Sequence, residues 1–177
     1  MVDFGDDTTG LVVSTETVAN YWMLDILWSP LVSTEQTKGA YSLMEQLMPA
    51  KSGPPLHVHD HGDEVFYILD GEMALQLGDE VIVATGGQLV RIPAGTPHAF
   101  VVQSDTAKVL NIYVPGMLDM AIAMLGTPAA ENRLPSVEDQ HPPTPEQQAA
   151  FAERLHDLAM QTWSPEHDRL DRYRGDG

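Results

Sequence analysis

Three histidines and one glutamate, set in two short stretches, are the residues whose types and spacing can do chemistry. The first stretch, G-P-P-L-H-V-H-D-H-G-D-E-V-F-Y-I-L-D-G from Gly53 to Gly71, places His57, His59 and Glu64 within eight residues, ahead of an apolar run. The second runs from Gly87 to His98, ends P-A-G-T-P-H, and adds another imidazole. Side chains alternate faces along an extended strand, so His57 and His59 project from one side. The turn chemistry of Asp60-His61-Gly62-Asp63 then lets Glu64 open the next strand. Two adjacent antiparallel strands can in this way aim two imidazoles and a carboxylate at one point. Such convergence is what a metal ion requires.

The elements that must position these residues follow from the pattern of apolar runs and turn residues. Tyr21 to Leu27 reads as a strand, Pro30 to Lys38 as turns, and Tyr41 to Met48 as a second strand ended by Pro49 and K-S-G-P-P. After the histidine strand come Glu64–Leu69, Glu72–Leu77, Val81–Ala84, Leu89–Ile92, His98–Val102 and Lys108–Val114, separated by Gly- and Asp-rich turns. Short strands at this spacing predict a mainly β protein, an antiparallel sandwich or barrel. Leu11-Val12-Val13 is a further short β-like piece. Beyond Pro115-Gly116 the character becomes helical over Met117–Leu125, then loop-like over 127–143.

Thr144-Pro145-Glu146-Gln147 is a helix start, with a hydroxyl N-cap, proline at N1 and glutamine at N3. Phe151, Leu155, Leu158 and Trp163 continue it at near-helical spacing, and the residues from Ser164 onward read as frayed. The expected organisation is an arm over 1–39, a barrel core over 40–115 and a helical extension over 116–177.

Composition excludes several function classes. The 177 residues contain no cysteine, so disulfides, thiolate metal sites and cysteine nucleophiles are absent. The net charge is −17 with only nine Lys and Arg, a poor match for nucleic acid or an anionic membrane. No apolar run approaches the ~20 residues that span a bilayer, and the first ten residues lack the basic and apolar regions of a signal peptide. The chain reads as cytoplasmic, with its acidic excess serving solubility.

The two histidine stretches together, H-x-H-x4-E-x6-G and G-x5-P-x-G-x2-H, resemble the two motifs of the cupin superfamily. The correspondence covers His57, His59, Glu64 and Gly71, then Gly87, Pro93, Gly95 and His98. Gly53 stands closer to the first histidine than is usual, and Val102 stands where the second motif usually ends in asparagine. The resemblance implies a single jelly-roll barrel in which His57, His59, Glu64 and His98 hold one divalent transition metal. Three imidazoles and a carboxylate suit Fe, Mn, Co, Ni or Zn, and an octahedral ion would keep two open positions. His61 lies in the turn and joins the set only if the strand continues through it. His141, His156 and His167 read as surface residues.

By strand parity Phe66 and Ile68 share the face of Glu64, and Phe100 and Val102 that of His98. Phe66 and Phe100, each two residues from a ligand, are the expected substrate contacts; Ile68 and Val102 read as barrel core. A narrower pattern, H-V-H-x4-E-V-F-Y-I-x-x-G with a later Pro115-Gly116 through Gly126-Thr127-Pro128-Ala129, is similar to the bacterial single-domain flavonol dioxygenases. That resemblance implies ring opening of a hydroxylated aromatic by O2 with loss of carbon monoxide, and Glu64 as both ligand and catalytic base. A non-redox cyclase or isomerase, and a binding protein without turnover, remain the alternative readings. Finally, Glu64–Leu69 is apolar on both faces, which predicts a homodimer that covers the outer one.

Overall fold

The computed structural model describes residues 10–139, 144–147, 149–150, 160–162 and 165–175. Two antiparallel sheets face one another. The larger contains β1 (Tyr21–Met23), β2 (Ile26–Val32), β3 (Ser42–Pro49), β5 (Asp63–Asp70), β8 (Leu89–Ile92), β10 (Thr106–Val114) and β11 (Thr127–Pro128), in the order β11-β1-β2-β3-β10-β5-β8. The smaller contains β4 (His57–His59), β6 (Glu72–Leu77), β7 (Glu80–Thr85), β9 (His98–Val102) and β12 (Met160–Thr162), in the order β12-β4-β9-β6-β7. Helix α1 (Leu118–Leu125) follows β10. Among the described residues no helix is long and apolar enough to cross a membrane.

Period-two alternation decides which side chains enter the space between the sheets. In β3 every second residue from Ser42 to Met48 is buried, and in β5 the buried set is Glu64, Phe66 and Ile68. β10 pairs with both, placing Tyr113 opposite Glu64, Asn111 opposite Phe66 and Val109 opposite Ile68. The interior is therefore apolar over most of its length, with Met44, Met48, Phe66, Ile68, Met73, Leu75 and Val102 fully buried. Each such side chain contributes about 1.5–3 kcal/mol by leaving water. Glycine is required at Gly71, in the β5–β6 turn: its φ is 90°, and a Cβ there would lie 2.5 Å from the Thr106 carbonyl.

Several local expectations are corrected. The predicted strand Tyr21–Leu27 is two strands joined by a turn, with Leu24 at φ 58° and Asp25 accepting a 2.9 Å hydrogen bond from the Ser52 hydroxyl. Pro30 does not end β2, because the register shifts between Pro30 and Val32 and the missing N–H is tolerated at that irregularity. Leu11-Val12-Val13 forms no strand, and Val12 is 98% exposed.

Thr144 and Gln147 do form the reciprocal capping pair, at 2.9 and 3.2 Å. Phe151, Leu155, Leu158 and Trp163 lie outside the described residues, and Met160–Thr162 forms β12. The final stretch is not frayed throughout. Leu170 is fully buried against Leu56, Ala74, Ala99 and Val101, and Gln76 donates to the His167 carbonyl and accepts from the Arg169 N–H, both at 2.7 Å.

Candidate metal centre

Each of the four expected ligands reaches the barrel interior for a local reason. His57 on β4 pairs in register with His98 on β9, which puts both imidazoles on one side of the smaller sheet. Gly53, just ahead of β4, passes so close to β9 that a Cβ would fall 1.8 Å from the Phe100 carbonyl, at a φ of 155°. Asp63, opening β5, accepts from Arg91 at 2.8 Å and from the Ala94 N–H at 3.0 Å, tying the ligand strand to the loop before His98. Met160–Thr162 of β12 pairs with the other edge of β4, covering the strand that carries two of the histidines.

Donor atoms of His57, His59, Glu64 and His98 all lie within 4.8 Å of one another. The two Nε2 atoms of His57 and His59 are 3.1 Å apart, His98 Nε2 is 2.9 Å from Glu64 Oε2, and His59 Nε2 is 3.5 Å from the same oxygen. Bonds of about 2.0–2.2 Å to a central ion would set neighbouring donors about 3 Å apart, so the spacing fits. Orientation fits as well. His57 and His98 donate from Nδ1 to the carbonyls of Pro55 and Thr96, at 3.0 and 2.8 Å, leaving each Nε2 lone pair facing inward. Lone pairs converging on one point repel one another unless a cation lies between them.

Protonation favours the same state. Burial lowers His57 from 6.5 to about 4, reinforced by charge at His98, and burial likewise lowers His59. Burial alone would raise Glu64, but the hydrogen bond and charge of His98, with the other imidazoles, hold it at about 2. His98 is raised because its contact with Glu64 outweighs its burial. Near neutral pH the set is thus an ionised carboxylate beside at least two neutral imidazoles. That is the form in which these groups bind a metal.

Two residues that hold Glu64 in place were missed by sequence reasoning. Glu64 Oε1 accepts from the Asn111 amide at 2.9 Å and from the Tyr113 hydroxyl at 2.5 Å, leaving Oε2 toward the histidines. Burial, with the charge of Glu64, pushes the Tyr113 hydroxyl well above its usual range, so it stays a donor. The signal was present: parity along Val109, Asn111 and Tyr113 turns two polar residues toward an interior that already holds Glu64.

A chamber of about 150 Å³ opens beside the cluster, reached by His57, Glu64 and Tyr113 and walled by Ile26, Trp28, Phe100 and Leu118. Of the two phenylalanines expected at the substrate, Phe100 lines this chamber. Phe66 lies behind it, fully buried, meeting Phe100 edge-on at 5.3 Å between ring centres. Ile68 and Val102 are core. His61 is exposed and stands outside the four-residue cluster, bordering a small recess beside His59. His167 is exposed; His141 and His156 lie outside the described residues.

Residues 43–113, the stretch that carries all four expected ligands, match the cupin domain family. Over that stretch the chain is similar to cupin domains. Solved structures agree on the cupin fold. The polyketide cyclase RemF from Streptomyces resistomycificus aligns with a TM-score of 0.54 and 22% identity, over 74% of this chain and 89% of its own. KdgF from a Halomonas species aligns at 0.55 and 17%, over 63% and 99%. Identities this low speak to fold alone. In sequence, the chain is 34% identical over 74 residues to quercetin 2,3-dioxygenase of Bacillus subtilis strain 168, a match covering 42% of this chain and 22% of that enzyme.

Proposed function

We propose that this chain is a metal-dependent dioxygenase that opens a ring of a flavonol-like hydroxylated aromatic with O2. The observation that carries the reading is the convergence of three imidazoles and one clamped carboxylate beside an apolar chamber. The likeness to a quercetin 2,3-dioxygenase over 74 residues supports the substrate class.

When bound, a divalent ion supplies a Lewis acid that acidifies a coordinated hydroxyl, together with open positions for small ligands. His57, His59, His98 and Glu64 would hold it. Glu64 accepts the substrate hydroxyl proton at Oε2, since Oε1 is engaged by Asn111 and Tyr113. A carboxyl held at about 2 is a weak base, so it accepts that proton only from a hydroxyl acidified in this way. Phe100, Trp28 and Leu118 hold the flat ring system and exclude water, each aromatic contact contributing about 0.5–1.5 kcal/mol beyond area burial. Phe66 supports Phe100 from behind. Both atoms of O2 would enter the ring-opened ester, one ring carbon would leave with its oxygen as carbon monoxide, and the proton held by Glu64 would return to the product.

The test is loss of the flavonol absorption band with simultaneous oxygen uptake, run with metal-loaded and metal-depleted protein. Bleaching that needs both metal and O2 is the expected result. Equal bleaching without O2 would favour a cyclase or isomerase, and no reaction across a panel of flavonols and polyhydroxylated aromatics would remove the dioxygenase reading.

A further inference from the structure

The chamber wall is apolar except at a few places, and one of these has no role in holding the metal site. Gln46 sits on β3 with its side chain inside the barrel, 1% exposed, and lines the chamber. Among the described residues neither its Nε2 nor its Oε1 has a hydrogen-bond partner. Close by, Asn111 presents a second orphan: its Nδ2 is committed to Glu64, while its Oδ1, equally buried and on the same chamber, has no partner among the described residues. The two residues are near neighbours across β3 and β10, where Gln46 pairs with Val109 and Met44 with Asn111. Buried polar atoms are nearly always satisfied, because an unpaired amide in an apolar surround is costly. A donor and two acceptors kept unpaired on a ligand chamber therefore point to a partner that arrives with the ligand.

We propose that Gln46, with Asn111 Oδ1 beside it, reads a second hydroxyl of the substrate, one remote from the oxygen that meets the metal. A phenolic hydroxyl both donates and accepts, which matches an amide oxygen and an amide N–H. The consequence is specificity: polyhydroxylated rings are selected over rings that carry the chelating oxygens alone. A site built to bond a hydroxyl discriminates against the analogue lacking it, since that analogue leaves the buried amide unpaired. This inference rests on the flavonol reading of the same chamber and adds the residue that chooses among flavonols.

The experiment is anaerobic binding, read by fluorescence quenching, of quercetin and of 3-hydroxyflavone to metal-loaded wild type and Gln46→Met, a near-isosteric apolar variant. Wild type is expected to bind quercetin the more tightly. Gln46→Met should weaken quercetin roughly three- to tenfold, the worth of one hydrogen bond, and leave 3-hydroxyflavone unchanged or tighter. The ligand-free variant should also melt higher than wild type, because an unpaired buried amide is gone. Parallel changes for the two flavonols, or a lower melting temperature from an amide engaged within the protein, would overturn the inference while leaving the flavonol reading intact. Failure of wild type to bind either compound would overturn both.

Discussion

Replacing Glu64 with glutamine separates the two duties assigned to this side chain, and the structure dictates how the amide must sit. Oε1 of Glu64 accepts two hydrogen bonds, from Asn111 Nδ2 at 2.9 Å and from the Tyr113 hydroxyl at 2.5 Å. In Glu64→Gln only the amide oxygen can take that place, so the NH2 group is forced into the Oε2 position, 2.9 Å from His98 Nε2 and 3.5 Å from His59 Nε2. An amide nitrogen there is neither a metal ligand nor a proton acceptor, and the negative charge of the cluster is lost. Loss of a group merely hydrogen-bonded to a ligand costs 10- to 100-fold in metal affinity, so loss of the ligand itself should exceed about 100-fold. Proton transfer by a placed base contributes 10²–10⁴-fold, so turnover at saturating metal should fall by at least about 100-fold. Calorimetric titration of metal-free protein with cobalt(II) gives the first number, and flavonol turnover at saturating cobalt gives the second. Unchanged affinity would refute the clamped geometry. Activity within a few-fold of wild type at saturating metal would show that the base lies elsewhere.

Three further outcomes are expected. Because His57 is lowered to about 4 in the folded chain, acid protonates the unfolded imidazole first. Its contribution to the stability of metal-free protein is therefore lost as pH falls from 6.5 to about 4, and denaturant titrations should show a smaller loss in His57→Leu than in wild type. Leu170→Ala removes a fully buried side chain that docks the C-terminal turn and should cost about 2–5 kcal/mol; an unchanged unfolding midpoint would mean that the turn contributes nothing to stability. Tyr67 and Leu69 on β5 and Leu89 on β8 leave an apolar outer face between 37% and 61% exposed, so light scattering should return twice the 19.4 kDa chain mass, and a single-chain mass would sink the homodimer.

The succession of strands from Tyr41 to Val114 and the four-residue cluster were legible because both rest on period-two alternation and turn residues, which operate locally. His57 and His59 had to share a face, and Glu64 had to begin the next strand. What could not be read depended on contacts between distant segments. Leu170 looked like part of a polar tail until Leu56, Ala74, Ala99 and Val101 supplied its pocket. The strand at Met160–Thr162 exists because the edge of β4 offers it a partner, and residue order near it signals only helix. Asn111, Tyr113 and Gln46 were legible in principle, since the same parity rule turns them inward. They were passed over because polar residues in a strand are ordinarily assigned to its solvent face. A buried carboxylate on the neighbouring strand reverses that expectation, and Tyr113 lies directly opposite Glu64.

The central claim is that His57, His59, Glu64 and His98 together hold one divalent metal. It is tested most directly by elemental analysis and metal titration of the purified protein above pH 7, where histidine side chains are in general neutral. The expected result is close to one ion per chain with high affinity in wild type, and loss of that binding in His59→Ala and His98→Ala while circular dichroism still reports a folded barrel. Wild type that takes up no divalent metal under these conditions, or His98→Ala that binds as tightly as wild type, would contradict it.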